Sequence, residues 1–396
     1  MTRVLISGAS VAGPALAYWL HRYGIDVTVV EKAGAVRSGG YPIDVRGTAV
    51  DVVDRMGVLP QLRAAHIDTQ RISVLNRAGK TVAAFGPDDL TGGQPGQDLE
   101  LPRGELTSIL YAQTRDRVEY VFNDSIATLT QHADRVDVTF DVGGPRSFDY
   151  VIGADGLHSN TRRLAFGPER DYHHYLGYCF AGFAVPNPGL AQEAILQNTP
   201  GRLSALYAVG KQPWVHALLA FASPEPARRQ SVEEVRELVG RAFAGIGGET
   251  PGLVAALRDA DDIYFDTVSQ IRMPNWINGR VILAGDAAYA PSFLSGQGTS
   301  LALAGAYVLA GELRNGTLPA YETTMRDYVT RNQALADSAG IGILPRSQAQ
   351  LWLRNQAFRL LPLLSRTNLV GRSARNAATH LTLPEYANST ARGDRR

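Results

Sequence analysis

The stretch RVLISGASVAGPALAYWLHRYGIDVTVVEK, Arg3 to Lys32, decides how the rest of the chain is read. Arg3–Ser7 is a short apolar run that ends at a glycine, the pattern of a buried strand. From Val11 to Tyr23 the period changes, and Leu16, Trp19, Leu20 and Tyr23 recur at helical spacing. Asp26–Glu31 returns to strand length with Val27, Val29 and Val30. Strand, helix and strand in direct succession form a βαβ unit. Gly8 and Gly13 interrupt the apolar start, which argues against reading it as a secretory leader.

Gly8-Ala9-Ser10-Val11-Ala12-Gly13 occupies the turn between the first strand and the helix. The first glycine permits the tight turn, and the last lets helix and strand approach. The helix start then offers unpaired backbone N–H groups to a pyrophosphate. Ser10 stands where a middle glycine is usual, and its small side chain still leaves room for a phosphate. Glu31 ends the second strand, where an acid accepts hydrogen bonds from ribose hydroxyls. Lys32 follows it and joins the candidate cofactor contacts. The turn predicts a dinucleotide but does not distinguish a nicotinamide from a flavin.

The bulk composition sets the limits. A chain of 396 residues favours two or three domains. With 45% apolar and 19% charged residues it supports a large core and excludes global disorder. A formal net charge of +1 gives no field for nucleic acid. The single cysteine, Cys179, excludes an internal disulfide and fits a reducing cytoplasm. The sequence has no apolar run of the length a membrane span needs. A monomer or a homodimer is expected.

Beyond the βαβ unit, Arg46–Met56 and Gly104–Gln113 read as helices. Ile72–Asn76 and Thr81–Phe85 read as a hairpin around Arg77-Ala78-Gly79-Lys80. Val118–Phe122, Ser125–Thr130, Val136–Asp141 and Ser147–Ile152 read as a meander. The middle is strand-rich, with Gly177–Val185, Arg202–Val209 and Trp214–Ala222. Ser231–Phe243 reads as a helix with a capping box of Ser231 and Glu234. Val281–Leu283 is a strand again, and Thr299–Arg314 a helix. The fold class expected is α/β: a Rossmann-like dinucleotide domain, an inserted and mostly antiparallel sheet, and a C-terminal helical tail. The expected boundaries are 1–70, 98–170 and 270–340 for the first, 71–97 and 171–269 for the second, and 341–396 for the tail. Arg354, Arg359, Arg366 and Arg372 punctuate that tail, which fits packing across both domains or, less well, a membrane-surface helix.

Two further stretches carry a resemblance. Tyr150–Arg163 reads YVIGADGLHSNTRR, and Leu283–Gly298 reads LAGDAAYAPSFLSGQG. With Gly8–Gly13, the pairs Asp155-Gly156 and Gly285-Asp286 complete an ordered set of three motifs. The chain thereby resembles the single-component flavin-dependent aromatic hydroxylases with the p-hydroxybenzoate hydroxylase fold, and is weakly nearest to their tetracycline-modifying and polyketide-tailoring members.

The resemblance implies non-covalent FAD, with NADPH or NADH as a transient reductant. Asp286 would hold a ribityl hydroxyl, and Pro291 would turn the chain along the isoalloxazine. Gly296, Gln297 and Gly298 would let the backbone approach the ring, with the helix start aimed at its pyrimidine end. Arg46 would lie near the ribityl and ring, Arg103 near the phosphates, and Asp155 near FAD and the reductant path. The implied chemistry is insertion of one oxygen atom from O2 into an aromatic or polycyclic molecule through a flavin C4a-hydroperoxide, with no catalytic side chain. Arg202, Ser204 and His216 resemble pocket-lining stretches, and Phe293 and Leu294 would line the cleft beside the flavin. Hydroxylation and ring-oxygen insertion remain open, as do two rivals: a flavoprotein that shelters an intermediate without turnover, and a flavin oxidase or dehydrogenase.

Overall fold

The computed structural model describes residues 1–36, 42–87, 89, 98–209, 212–224, 230–364 and 371–386. A six-stranded sheet contains β1 (Arg3–Ser7), β2 (Asp26–Glu31), β7 (Glu119–Phe122), β11 (Tyr150–Gly153), β17 (Ile277–Asn278) and β18 (Val281–Leu283). Its order is β17-β18-β11-β1-β2-β7, with all pairs parallel except the terminal β17–β18. Val4, Leu5 and Ile6 on β1 are fully buried, as a central parallel strand covered on both faces requires. Helix Ala12–Arg22 covers one face and packs on helix Gly298–Asn315, which is buried from Ser300 to Glu312.

The meander is shorter than the sequence suggests. Only β8 (Ile126–Gln131), β9 (Val136–Phe140) and β10 (Arg146–Phe148) form it. Its expected outer strands belong to the parallel sheet instead. The Ser147–Ile152 run breaks at Asp149, whose carboxylate accepts the Arg3 N–H at 2.7 Å and whose own N–H donates to the Arg3 carbonyl. That break turns the chain from one sheet into the other.

A second, seven-stranded sheet has the order β16-β12-β15-β14-β13-β4-β5. Its members are β4 (Arg71–Leu75), β5 (Thr81–Phe85), β12 (His173–Pro186), β13 (Glu193–Thr199), β14 (Arg202–Ala208), β15 (Trp214–Ala222) and β16 (Tyr264–Ile271). It is antiparallel apart from the β13–β4 pair. Helices Val232–Ala242 and Thr250–Asp259 cover one face over Phe183, Leu206, Leu219 and Phe221. The other face, with Phe180, Leu203, Leu218 and Val268, meets Leu294, Ala336 and Leu344. A small ladder of β3 (Pro42–Val45) and β6 (Leu99–Pro102) lies beside the start of helix Gly298–Asn315.

The C-terminal segment touches the second sheet and the helices of the α/β side. Helix Gln348–Leu364 packs on β5, with Phe358 edge-on to Phe85 and Arg359 Nε donating to the Val82 carbonyl at 2.9 Å. The stretch after helix Arg372–Ala378 crosses the α/β side, where Thr48 Oγ1 donates to the Leu381 carbonyl and Tyr386 Oη to Glu312. Arg366 and part of 71–97 lie outside the described residues. Among the described residues, no helix is long and apolar enough to cross a membrane.

Candidate functional site

The glycine turn is built by contact as much as by flexibility. Gly8 has φ +108°, and a Cβ there would lie 2.4 Å from the Ala154 carbonyl oxygen. A Cβ on Gly13 would lie 1.9 Å from the Gly8 carbonyl oxygen. Both distances are far inside van der Waals contact, so glycine alone lets β1, β11 and helix Ala12–Arg22 meet here. Val11 and Ala12 open that helix without a side-chain cap, which leaves its first N–H groups for a phosphate. Glu31 accepts hydrogen bonds from the Ala9 N–H (2.8 Å) and the Ala33 N–H (2.9 Å), so it also braces the turn. Lys32 is exposed beside it. Arg103, the first residue of helix Arg103–Ala112, donates to Ser10 Oγ at 3.1 Å and so reaches the expected phosphate position.

Asp155 is half-buried and heavily bonded. Its carboxylate accepts from the N–H and the hydroxyl of Thr161, both at 2.9 Å, and from the hydroxyls of Ser159 and Ser7. These bonds order the loop that it opens and tie it to Ser7 at the end of β1. Sequence reasoning missed Arg162, which is fully buried. Its guanidinium donates to the Ala287 carbonyl (3.0 Å), the Leu157 carbonyl (2.7 Å) and Glu169 (2.9 Å). It thereby ties the Asp155 loop to the back of the Asp286 helix. Its place inside YVIGADGLHSNTRR was visible, but nothing local distinguished it from the exposed Arg163.

Gly285, at φ +60°, turns the chain from β18 into helix Asp286–Tyr289. Ala12 from the first motif packs against it, since a Cβ on Gly285 would lie 3.0 Å from Ala12 Cβ. Asp286 accepts no hydrogen bond among the described residues. Its side chain is open to solvent, yet the surrounding protein desolvates it enough to push its pKa up, against the opposing charge of Arg103. A carboxylate ringed by protein but open on one side faces a cleft. Gly298 adjoins it, with a hypothetical Cβ 3.7 Å from Asp286 Oδ1.

The loop between Asp286 and the long helix is held in an uncommon conformation. Ser292 has φ +84°, rare for a non-glycine residue. The Pro291 carbonyl accepts from the fully buried Gln270 at 3.1 Å, a second residue the sequence did not single out. Gly296 is left-handed at φ +64° and abuts Asp44. Asp44 pairs with Arg46 at 2.9 Å, and the Arg46 N–H donates to Ser300 Oγ in the first turn of helix Gly298–Asn315. Two buried polar atoms here, Gln297 Oε1 and Arg46 Nε, have no hydrogen-bond partner among the described residues. Such orphans are rare in a native interior, and these two belong to the Arg46 segment and the glycine loop that meet at the start of helix Gly298–Asn315.

The substrate wall needs one correction. On β14, Leu203, Ala205 and Tyr207 face the cleft, so Arg202 and Ser204 point to the opposite, helix-covered face. Arg202 donates to the Ala242 carbonyl at the end of helix Val232–Ala242, and Ser204 bonds Thr250 at 2.7 Å. The strand's period of two removes both from the wall. His216 shares the parity of Leu218 and Ala220 and stays on the cleft side, with burial pushing its pKa down. Phe293 stacks on Phe180 at 4.9 Å, and Leu294 is buried next to it.

A dinucleotide turn, an uncapped helix start and a glycine loop meeting at one cleft beneath a second sheet define a flavoprotein oxygenase architecture. The chain belongs to the FAD binding domain family, which matches residues 1–338, and it is an FAD-dependent monooxygenase. A flavin-dependent monooxygenase from an unknown prokaryotic organism is 36% identical, covering 97% of this chain and 99% of its own. One from Legionella longbeachae is 31% identical, covering 98% and 99%. The crystal structure of the tetracycline destructase Tet(55) superposes with a TM-score of 0.84 at 35% identity, covering 98% of this chain and 99% of that one.

Proposed function

We propose that this monooxygenase takes electrons from NAD(P)H and transfers one oxygen atom of O2 to an aromatic or polycyclic small molecule, in the modification or tailoring of antibiotic-like compounds. The observation that carries the reading is the convergence of Gly8–Gly13, Arg46, Arg103 and Asp286–Gly298 on one cleft where Gln297 Oε1 and Arg46 Nε lack partners among the described residues. The residues present fit FAD. The turn at Gly8, Ser10, Val11, Ala12 and Gly13, with Arg103, would hold the pyrophosphate. Glu31 would meet the adenosine ribose, and Asp286 a ribityl hydroxyl. Gly296, Gln297 and Gly298 would take the ring edge. Bound FAD supplies hydride acceptance and oxygen activation.

The chain's own residues then bind, orient and exclude water. The start of helix Gly298–Asn315, capped by no side chain, favours negative charge at the ring. Phe180, Phe293 and Leu294 form an apolar wall that keeps water from the reacting carbon. The Tet(55) likeness supports a polycyclic substrate, and a sequence with a single cysteine fits a cytoplasmic setting. The test uses purified protein with NADH or NADPH under 18O2 and a panel of phenols and polycycles. Substrate-stimulated NAD(P)H consumption with labelled product supports the proposal. Hydrogen peroxide as the sole oxygen product across the panel overturns it.

A further inference from the structure

The C-terminal stretch is charged unlike the rest of the chain. The whole sequence has a formal net charge of +1, yet between Asp337 and Glu385 it holds six arginines and no acidic residue. Helix Gln348–Leu364 lies in this stretch and divides into two faces. Its inner face packs on β5 through Phe358 and Leu361, and its buried Arg354 donates to Asn198 Oδ1 at 2.8 Å. Its outer face carries Trp352, Leu353 and Leu360, which are 62%, 65% and 50% exposed. At about 3.6 residues per turn, these three and the exposed Ala349 fall within about 100° of the helix circumference. Arg346 stands just before the helix and Arg359 borders the same sector, both exposed. Arg346 is fixed by the Tyr178 hydroxyl and the Leu176 carbonyl, and Arg359 by the Val82 carbonyl and Gln356. Neither has an acidic partner among the described residues.

We propose that this face docks on the surface of an anionic lipid bilayer, with the helix lying flat and Trp352, Leu353 and Leu360 entering the headgroup region. Large apolar side chains scattered singly over a surface are ordinary, but three gathered on one helix face mark a contact. An indole suits a lipid–water boundary, where its apolar ring and its N–H are both accommodated. The charge around the patch decides the occupant. Anionic headgroups complement Arg346 and Arg359, and an apolar stripe edged by arginines is the pattern that holds a helix at a bilayer surface. A second copy of the chain would set the same cationic stretch against itself, which disfavours self-pairing.

The test sediments the full-length, FAD-loaded protein with vesicles of phosphatidylcholine alone and of phosphatidylcholine with about one third phosphatidylglycerol, at low salt. The anionic vesicles are expected to bind about tenfold tighter or more, with a blue shift of tryptophan emission, and to release the protein as salt approaches about 0.5 M. Joint replacement of Trp352→Gln and Leu353→Gln should weaken this binding about tenfold or more. Both side chains are exposed, so the melting temperature and the flavin spectrum should not move. Arg359→Gln should weaken binding about threefold and flatten its salt dependence. The proposal is overturned if anionic vesicles hold no more protein than neutral ones. It is overturned if the double variant binds them as well as the wild type, which would make the attraction one of bulk charge. A concentration-dependent dimer that the double variant abolishes would give the face to a second copy and overturn it. So would poly-glutamate that binds the wild type as tightly as vesicles do and loses the double variant, since the partner is then an acidic protein. Should the double variant fail to fold, Leu360→Gln and the comparison of the two vesicles decide. No turnover is involved, so this proposal and the oxygenase reading fail separately.

Discussion

Asp286 shows what a binding residue looks like before its ligand is considered. A carboxylate partly stripped of water and given no donor weakens the fold, and its raised pKa records that penalty. The sign follows from linkage. A carboxyl group whose folded pKa is raised costs stability once it ionises, and the cost fades as acid protonates it. Asp286→Asn should therefore raise the melting temperature of FAD-free protein at neutral pH, with the gain shrinking towards acid. The same change should weaken FAD about tenfold or more, measured by fluorescence titration. A neutral or destabilising effect on the FAD-free protein would contradict this account. Residue chemistry was partly legible beforehand: Gly8, Gly13 and Asp286 announce themselves through motif spacing. Arg162 and Gln270 did not, because their importance lies in carbonyls more than twenty positions away in the chain, at Ala287 and Pro291.

At the scale of elements, one ionic link joins the Asp155 loop to the second sheet. His158 bonds Asp266 on β16 at 3.1 Å and Glu169 at 2.9 Å, and these bonds raise its pKa to about 9. A histidine with a raised folded pKa contributes stability fully below its ordinary value of 6.5, and that contribution disappears as pH rises through about 9. His158→Gln should lower the melting temperature at about pH 6 and converge on the wild type above about pH 9, by calorimetry across pH. A pH-independent difference would exclude the link. The strand β16 that carries Asp266 was not read from the sequence, and neither was β13. Both bury polar residues, Thr267, Ser269 and Gln270 on one, Gln197, Asn198 and Thr199 on the other. Apolar alternation misses a strand whose interior amides are satisfied by distant partners. Gln197 donates to the carbonyls of Asn76 and Gly247, and Asn198 accepts from Arg354. The capping box at Ser231 and Glu234 was readable because every atom of it lies within four residues.

Across the whole molecule, the C-terminal segment behaves as a strap. Arg55 pairs with Glu385 at 2.7 Å, Tyr307 Oη donates to the Pro384 carbonyl at 2.8 Å, and Tyr386 Oη to Glu312 at 2.6 Å. Thr48, two residues from Arg46, is held by the Leu381 carbonyl. Ending the chain before Gly371 should lower the melting temperature by about 5 °C or more and weaken FAD retention on gel filtration. An unchanged melting temperature would show that the strap contributes nothing.

The α/β architecture and the cofactor class were readable in advance because they rest on local rules: glycine sterics at a strand–helix turn, helix periodicity, and the order of three motifs. The composition of the substrate cleft was not. Facing is inverted by a shift of one residue along a strand, so Arg202 and Tyr207 could be told apart only once β14 was paired on both sides. Asp44 meets Glu100 only because β3 and β6, far apart in the chain, pair in one ladder. No short-range signal encodes that register, because the backbone bonds that fix it join strands separated by two helices and a hairpin.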